Sequence, residues 1–301
     1  MHRGGEVAYH TLDVFTDRPF GGNPLAVVPD ARPLTPEQMQ LIAAEVNLSE
    51  TAFVLPPRAG GTHQVRIFTP TRELPFAGHP TIGTALLLRE LEPARTSASR
   101  RFVFEEGVGE VSVMVRRDRG GAFAELEAAD PAEIRPSPLE REDLAAVLSL
   151  RSEDLAEGKP GPCAASCGVP FLLVPVTDVA ALGRARLDLT RWEAWLAGTW
   201  APHLFPYVPP GHDGTPVRAR MFAPALGIAE DPATGGAVAA LGGLLAGLDA
   251  GPAARRWTVL QGVEMGRSSM IHVRTESRPD GSTAVFVGGR AVRMSRGELW
   301  L

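Results

Sequence analysis

Hydrophobic and polar positions along the chain predict short strands separated by a few helices. The opening segment YHTLDVFTDRPFGGNPLAVVPD has two apolar runs around a Gly-Gly-Asn-Pro turn, which predicts a β-hairpin. Thr35 is then a candidate N-cap, with Pro36 at the first helical position and Gln38 placed to complete a capping box. Asn47 can end that helix in the left-handed conformation.

Strand patterns return over 51–55 and 64–68, and a helix rich in leucine follows Pro80. The proline-rich segment ADPAEIRPSPL, at 129–139, is typical of a linker. Beyond it the pattern of strands and helices begins again. Helical stretches are predicted in EREDLAAVLSL and LTRWEAWLAG, and a long apolar helix from Pro232 to about Leu248. These patterns predict an α+β chain of two domains.

One stretch of sequence occurs twice. RIFTPTRELPFAGHPTIGTA and RMFAPALGIAEDPATGGAVA share Arg-x-Phe-x-Pro, a loop, and then His79 or Asp231 before Pro-x-x-Gly-x-Ala. Because the spacing is about 150 residues, the repeat indicates two similar domains rather than a solenoid. We therefore predict two pseudo-symmetric domains of like topology.

The repeated stretches predict two helices that each begin at a proline, Pro80 and Pro232. Backbone N–H groups at such a helix head have no partners and attract anions, and neighbouring glycines let a carboxylate approach closely. If both heads point into one cleft, that cleft suits a small carboxylic acid. The candidate substrate-binding residues are Gly78, His79, Pro80, Thr81, Asp231, Gly235 and Gly236.

Three ionisable side chains are candidates for chemistry. Asp231 could simply be a helix N-cap, whereas histidine is a poor cap, so His79 needs another reason for its position. In NLSETAFV, alternation places Glu50 on one face with Ala52 and Val54. A carboxyl group in apolar surroundings can act as both acid and base, although Glu50 could also be a solvated residue at a strand end.

Composition narrows the classes of function. The 301 residues suffice for two domains, and a net charge of −5 argues against nucleic acid as a partner. The chain has no apolar run long enough to span a membrane, and its N-terminus lacks the apolar core of a secretory signal, so we expect a cytoplasmic protein. Cys163 and Cys167 form a weak metal or redox signal and are interpreted as small packing residues.

Several long motifs, in order, resemble the PhzF-like phenazine biosynthesis isomerases, relatives of diaminopimelate epimerase. They are DVFTDRPFGGNPLAVV, NLSETAFV, RIFTPTRELPFAGHPTIGTA, ARMFAPALGIAEDPATGGA and QGVEMGRSSMI. The resemblance implies a mostly antiparallel sheet around a central helix in each domain, with the active site in the cleft between them. The first domain would comprise 1–128 with the tail 287–301, and the second 129–286. Homodimers and the absence of any metal or organic cofactor are also implied.

The resemblance further implies roles for single residues. Glu50 would move a proton between substrate carbons, and His79 and Asp231 would orient the substrate. Gly236 replaces a serine of the family pattern, which removes one hydroxyl. Relatives with two catalytic cysteines carry them at the helix heads, where this chain has His79 and Asp231, so two-thiol chemistry is disfavoured.

Two functions follow as hypotheses. The first is a cofactor-independent isomerase that moves a proton within a small unsaturated or activated carboxylic acid. The alternative is a non-catalytic small-carboxylate binding protein that has kept the cleft, for which Gly236 is the hint. A reductase or hydrolase has little support, because no GxGxxG follows a strand and no GxSxG elbow occurs.

Overall fold

The computed structural model describes residues 6–93, 98–211, 215–248 and 254–301, so the first five residues of the N-terminal segment lie outside it. The chain divides into two compact units. The first unit contains the residues up to Leu126 together with Gly288–Leu301, and the second is Glu127–Val287. The division thus falls after Leu126 and after Val287, where the sequence predicts boundaries after 128 and 286.

Strands supply most of the regular structure. In the part of the chain before the predicted linker, the strands are β1 (Glu6–Val14), β2 (Asn23–Val28), β3 (Glu50–Leu55), β4 (His63–Phe68), β5 (Glu73–Leu74), β6 (Ser99–Glu106), β7 (Gly109–Asp118) and β8 (Gly121–Glu127). The later strands are β9 (Glu133–Pro136), β10 (Cys163–Ser166), β11 (Pro170–Pro175), β12 (His203–Val208), β13 (Val217–Ala219), β14 (Ala254–Gln261), β15 (Ser269–Ser277), β16 (Thr283–Gly289) and β17 (Ala291–Trp300).

The helices are fewer. They are α1 (Pro36–Val46), α2 (Gly78–Leu91), α3 (Arg141–Val147), α4 (Val179–Arg184), α5 (Leu189–Trp195) and α6 (Gly235–Gly247), with 3-10 turns at Ser152–Asp154 and Pro224–Leu226. No helix among the described residues is long and apolar enough to cross a membrane.

The sheet of the first unit wraps around α2. Strand β17 pairs antiparallel with β1 and β1 antiparallel with β2, after which β2 and β3 are parallel. The order continues through β4, β6 and β7, with antiparallel, parallel and antiparallel pairs. Helix α2 packs against β1, β2, β3, β7 and β17, and is buried over most of its length. It is therefore the central helix of this unit.

The second unit repeats this pairing order. Its sheet runs β9, β10, β11, β12, β13, β14 and β15, and its pairs are successively antiparallel, antiparallel, parallel, antiparallel, parallel and antiparallel. Helix α6 packs against β10, β11, β14 and β15. The predicted α+β class and the like topology of the two halves are confirmed.

Local signals for α1 are confirmed, whereas two other predictions are wrong. Thr35 caps α1 through a complete capping box with Gln38, and Asn47 ends the helix at a φ of 51°. The predicted linker instead contains β9, because residues 133–136 find hydrogen-bond partners in β10. The two central helices do not begin at their prolines: α2 begins at Gly78 and α6 at Gly235.

Candidate active site

His79 is the second residue of α2 and is 6% exposed. Burial lowers the pKa of its imidazole to about 3, and a hydrogen bond with the backbone of Pro24 opposes this only weakly. His79 is therefore a neutral imidazole at physiological pH, with one N–H and one lone pair.

Glu50 lies next to this imidazole. It is the first residue of β3, pairs with Leu25 of β2 and is only 8% exposed, so it is not a solvated strand end. Its Oε2 lies 3.1 Å from Nε2 of His79. The distance is that of a hydrogen bond, although the orientation of the two groups falls short of one. The two groups are close enough to form a hydrogen bond after a small reorientation of either side chain.

Close packing of α2 on the sheet brings these groups together. A Cβ on Gly83 would lie 2.5 Å from a side-chain carbon of Leu25 and 2.7 Å from one of Val14, so only glycine permits this approach. The amide nitrogen of Asn23, the first residue of β2, lies 3.4 Å from Nδ1 of His79. The imidazole thus has a polar neighbour at each ring nitrogen.

Thr81 is fully buried in the same turn of α2. Its Oγ1 lies 2.8 Å from the carbonyl oxygen of Ala77 and 2.8 Å from Oε1 of Glu106, the last residue of β6. The Thr81 hydroxyl is thus engaged within the first unit. Gly78 and Pro80 flank His79 in the turn, and Ala77, the N-cap, offers no side-chain hydrogen bond to it.

In the second unit Asp231 is not the N-cap of the central helix. The N-cap is Thr234, which makes no capping hydrogen bond through its side chain and instead donates its hydroxyl to Oδ2 of Asp231. The loop is closed by Gln261, whose amide nitrogen donates to the Asp231 carbonyl at 2.7 Å and to Thr234 Oγ1 at 3.0 Å. Its amide oxygen accepts from the Thr234 N–H at 3.1 Å. These bonds hold residues 231–234 outside the helix, which is why α6 begins later than predicted.

Gly235 and Gly236 open α6. Gly235 is buried, whereas Gly236 is exposed and lies beside the ring of Phe171, which a Cβ at this position would meet at 3.3 Å. That contact is tight, so a serine here requires the ring to move by a few tenths of an ångström. Glycine at this position therefore leaves the first turn of α6 open beside Phe171.

The cysteines are buried and carry no disulfide. Burial raises the pKa of Cys163 to about 11 and that of Cys167 to about 12, so both are thiols at neutral pH. Within the four described ranges, no group of three or more histidine, cysteine or acidic residues is placed to hold a metal ion.

Sequence reasoning did not single out Asn23, Glu106 or Gln261. A signal for the last two was present, because each ends an equivalent strand and is followed by Gly-Val, which extends the repeat. Both residues contact a threonine at the head of the central helix of their unit.

The fold and the site define a class of protein. The chain matches the family model described as phenazine biosynthesis-like protein, PhzC-PhzF, over residues 12–297, and it belongs to this family. A PhzF-family phenazine biosynthesis protein from Bacillus anthracis has a similar structure, with a TM-score of 0.90, 25% identity, and coverage of 99% of this chain and 100% of that one.

Two curated relatives extend the comparison to activity. An uncharacterised isomerase of Mesorhizobium japonicum is 38% identical over 97% of this chain and 98% of its own length. The trans-2,3-dihydro-3-hydroxyanthranilate isomerase of Pseudomonas fluorescens is 35% identical over 97% of this chain and 99% of its own. The chain is therefore an enzyme, an isomerase of the PhzF family.

Proposed function

We propose that this isomerase works without a cofactor and moves a proton within a small unsaturated or activated carboxylic acid, with Glu50 as the general acid and base. The observation that supports this most is the pair of buried side chains, Glu50 and His79, whose polar atoms are 3.1 Å apart. A carboxylate can take a proton from a carbon and return it to another position of a conjugated system.

His79 serves this reaction as an uncharged partner. Since burial keeps its pKa far below neutrality, the imidazole adds no positive charge that would hold Glu50 permanently as an ion pair. The nitrogen next to Glu50 can donate to or accept from the substrate while Asn23 and Pro24 orient the ring. Asp231 keeps, in this proposal, the substrate-orienting role that the family resemblance implies, as do the residues that flank the two helix heads.

The substrate is proposed to resemble the one named for the Pseudomonas fluorescens relative, trans-2,3-dihydro-3-hydroxyanthranilate, which is a carboxylate. The backbone N–H groups in the first turn of α2 are suited to bind that carboxylate, because no side chain caps them. Gly236, beside Phe171, changes the shape of the first turn of α6 and is the feature most able to alter the choice of acid. The homodimer and the cytoplasmic location remain predictions.

Incubation with trans-2,3-dihydro-3-hydroxyanthranilate in D₂O, followed by proton NMR, tests the proposal. We expect isomerisation with deuterium at the carbon that receives the proton. If this acid is inert, small unsaturated carboxylates are screened for those that raise the unfolding temperature. The acids that do so are then examined in the same way. Stabilisation by several acids, with neither isomerisation nor solvent exchange, contradicts the proposal and supports the binding-protein alternative.

A further inference from the structure

Glu106 is a half-buried residue whose carboxyl group the proposed reaction does not use. It ends β6 and reaches the first turn of α2, where Oε1 contacts the hydroxyl of Thr81 at 2.8 Å. Its second oxygen, Oε2, is buried and has no hydrogen-bond partner among the described residues. An ionised carboxylate in such a place would have a buried charge and an unsatisfied acceptor.

The hydrogen bonds of Thr81 indicate where a proton must be. Its Oγ1 lies 2.8 Å from two oxygens, the Ala77 carbonyl and Glu106 Oε1, but a hydroxyl has only one proton to donate. The carbonyl can only accept, so it takes the threonine proton. The second contact is then a hydrogen bond only if Glu106 is protonated and donates its O–H to Thr81.

The second unit carries an uncharged side chain at the equivalent position. Strand β14 is parallel to β13 as β6 is to β4, and Gln261 ends β14 before the same Gly-Val pair. The Gln261 amide donates to Thr234 and accepts from it, so a neutral donor and acceptor holds the head of α6. A protonated Glu106 is the nearest carboxyl equivalent of that amide.

We propose that Glu106 is a positioning residue of the isomerase site: it keeps a proton at neutral pH and donates it to Thr81, which fixes the turn of α2 that carries His79. The proposal rests on the proposed function in taking this turn as part of the active site. Unlike Gln261, Glu106 can lose its proton, so its contact at the head of α2 responds to pH.

The surroundings of Glu106 agree with this assignment. Burial raises the pKa of its carboxyl group to about 8, and the contact with Thr81 opposes the shift more weakly. Several ionisable groups on the adjoining elements are committed elsewhere, exposed or neutral. Glu105 of β6 accepts hydrogen bonds from the backbone N–H groups of Arg58, Ala59 and Gly61. Arg66 of β4 pairs with Glu73 of β5. Glu110 of β7 is exposed, and His79 of α2 is uncharged.

The test follows the imidazole of His79 by NMR in protein labelled at the histidine nitrogens, from pH 6 to pH 10. The His79 signals are assigned by their loss in His79→Asn. In the wild-type protein we expect them to shift with a midpoint near the pKa of Glu106, about 8, as the bond to Thr81 breaks. In Glu106→Gln the shift should vanish, because the amide keeps donating at every pH.

Two further variants test whether the NMR shift comes from the contact between Glu106 and Thr81. Thr81→Val keeps the carboxyl group but removes the contact, so it should also abolish the shift. Glu110→Gln, an exposed carboxyl on the neighbouring strand, should retain it. A shift that persists in Glu106→Gln or Thr81→Val, or that is missing from the wild-type protein, overturns the proposal.

A second measurement relates the group to catalysis. The probe acid is trans-2,3-dihydro-3-hydroxyanthranilate or, if that acid is inert, the screened carboxylate that exchanges. Its exchange with solvent should decline above about pH 8 in the wild-type enzyme and stay level in Glu106→Gln. Since the histidine signals need no turnover, a failure of the proposed function leaves the NMR titration intact, and the two failures are distinguishable. An unchanged alkaline decline in Glu106→Gln contradicts the positioning role.

Discussion

The heads of the two central helices come from the same repeated sequence but hold His79 and Asp231 differently. In α2, His79 is inside the first turn, buried and uncharged. In the second unit, Asp231 lies four residues before α6 begins and accepts a hydrogen bond from Thr234. Neither helix has a capping hydrogen bond from its N-cap side chain.

The repeat therefore specifies where His79 and Asp231 stand in the sequence but not the contacts that surround them. In the first unit, burial keeps an imidazole neutral next to Glu50. In the second, the side chain of Gln261 holds the loop around Asp231 through three hydrogen bonds.

The largest expected effect comes from replacing His79 in the first turn of α2, and it is on catalysis. His79→Asn removes a ring nitrogen beside Glu50 while keeping a small neutral amide, and we expect solvent exchange of the probe acid to fall by about 10² to 10⁴-fold. The matched control is His272→Asn, a partly buried histidine of β15 bonded to Thr258. An exchange rate within tenfold of wild type in His79→Asn would remove the imidazole from the mechanism.

The same histidine should make the protein sensitive to acid. Its pKa is about 3 when folded and about 6.5 when unfolded, so the unfolded chain takes up the proton first. The stabilisation is complete above pH 6.5 and is lost as the pH falls toward 3, with an upper bound of about 5 kcal/mol. Urea unfolding between pH 7 and pH 4.5 should show a shallower loss of stability in His79→Asn than in wild type. Equal slopes would contradict a neutral buried imidazole.

Removing the hydrogen bonds that hold the loop before α6 should lower the stability of the protein at every pH. Gln261→Leu removes three hydrogen bonds, and at about 1 kcal/mol each we expect the free energy of unfolding to fall by about 3 kcal/mol. Gln40→Leu, which removes one bond to the Thr69 carbonyl, is the control and should cost about 1 kcal/mol. If both variants lose the same amount, Gln261 does not hold the loop.

The smallest effect concerns the first turn of α6. Gly236→Ser must displace the ring of Phe171 slightly, so we expect a loss of about 1 kcal/mol, the low end of overpacking costs. Gly247→Ser at the other end of the helix meets no atom within 4 Å and should not destabilise. Equilibrium unfolding of both variants decides whether the ring limits the residue at position 236. A Gly236→Ser protein as stable as Gly247→Ser would show that it does not.

Much of the fold could be predicted because its signals are local. The capping box of Thr35, the left-handed Asn47 and the alternation around Glu50 depend on residues a few positions apart, and the repeat disclosed the two like units. The starts of α2 and α6 could not be placed from Pro80 and Pro232, because the loop before α6 is held by Gln261 from a distant strand.

The candidate site was predictable only in part, for the same reason. Motifs identify Glu50, His79 and Asp231 as chemical groups, but the neutrality of His79 depends on burial under strands that are remote in sequence. Glu106 could not be predicted as a site residue, because a glutamate at the end of a strand is common and the sequence does not show its contact with Thr81.

Deuterium transfer by the Glu50→Gln variant tests the assignment of Glu50 most directly. The control is Glu45→Gln, an exposed carboxyl on α1 a few residues earlier in the chain. With the probe acid in D₂O, we expect Glu50→Gln to keep its fold and its affinity but to lose isomerisation and exchange, while Glu45→Gln matches wild type. Full exchange by a folded Glu50→Gln protein would show that another group carries the proton.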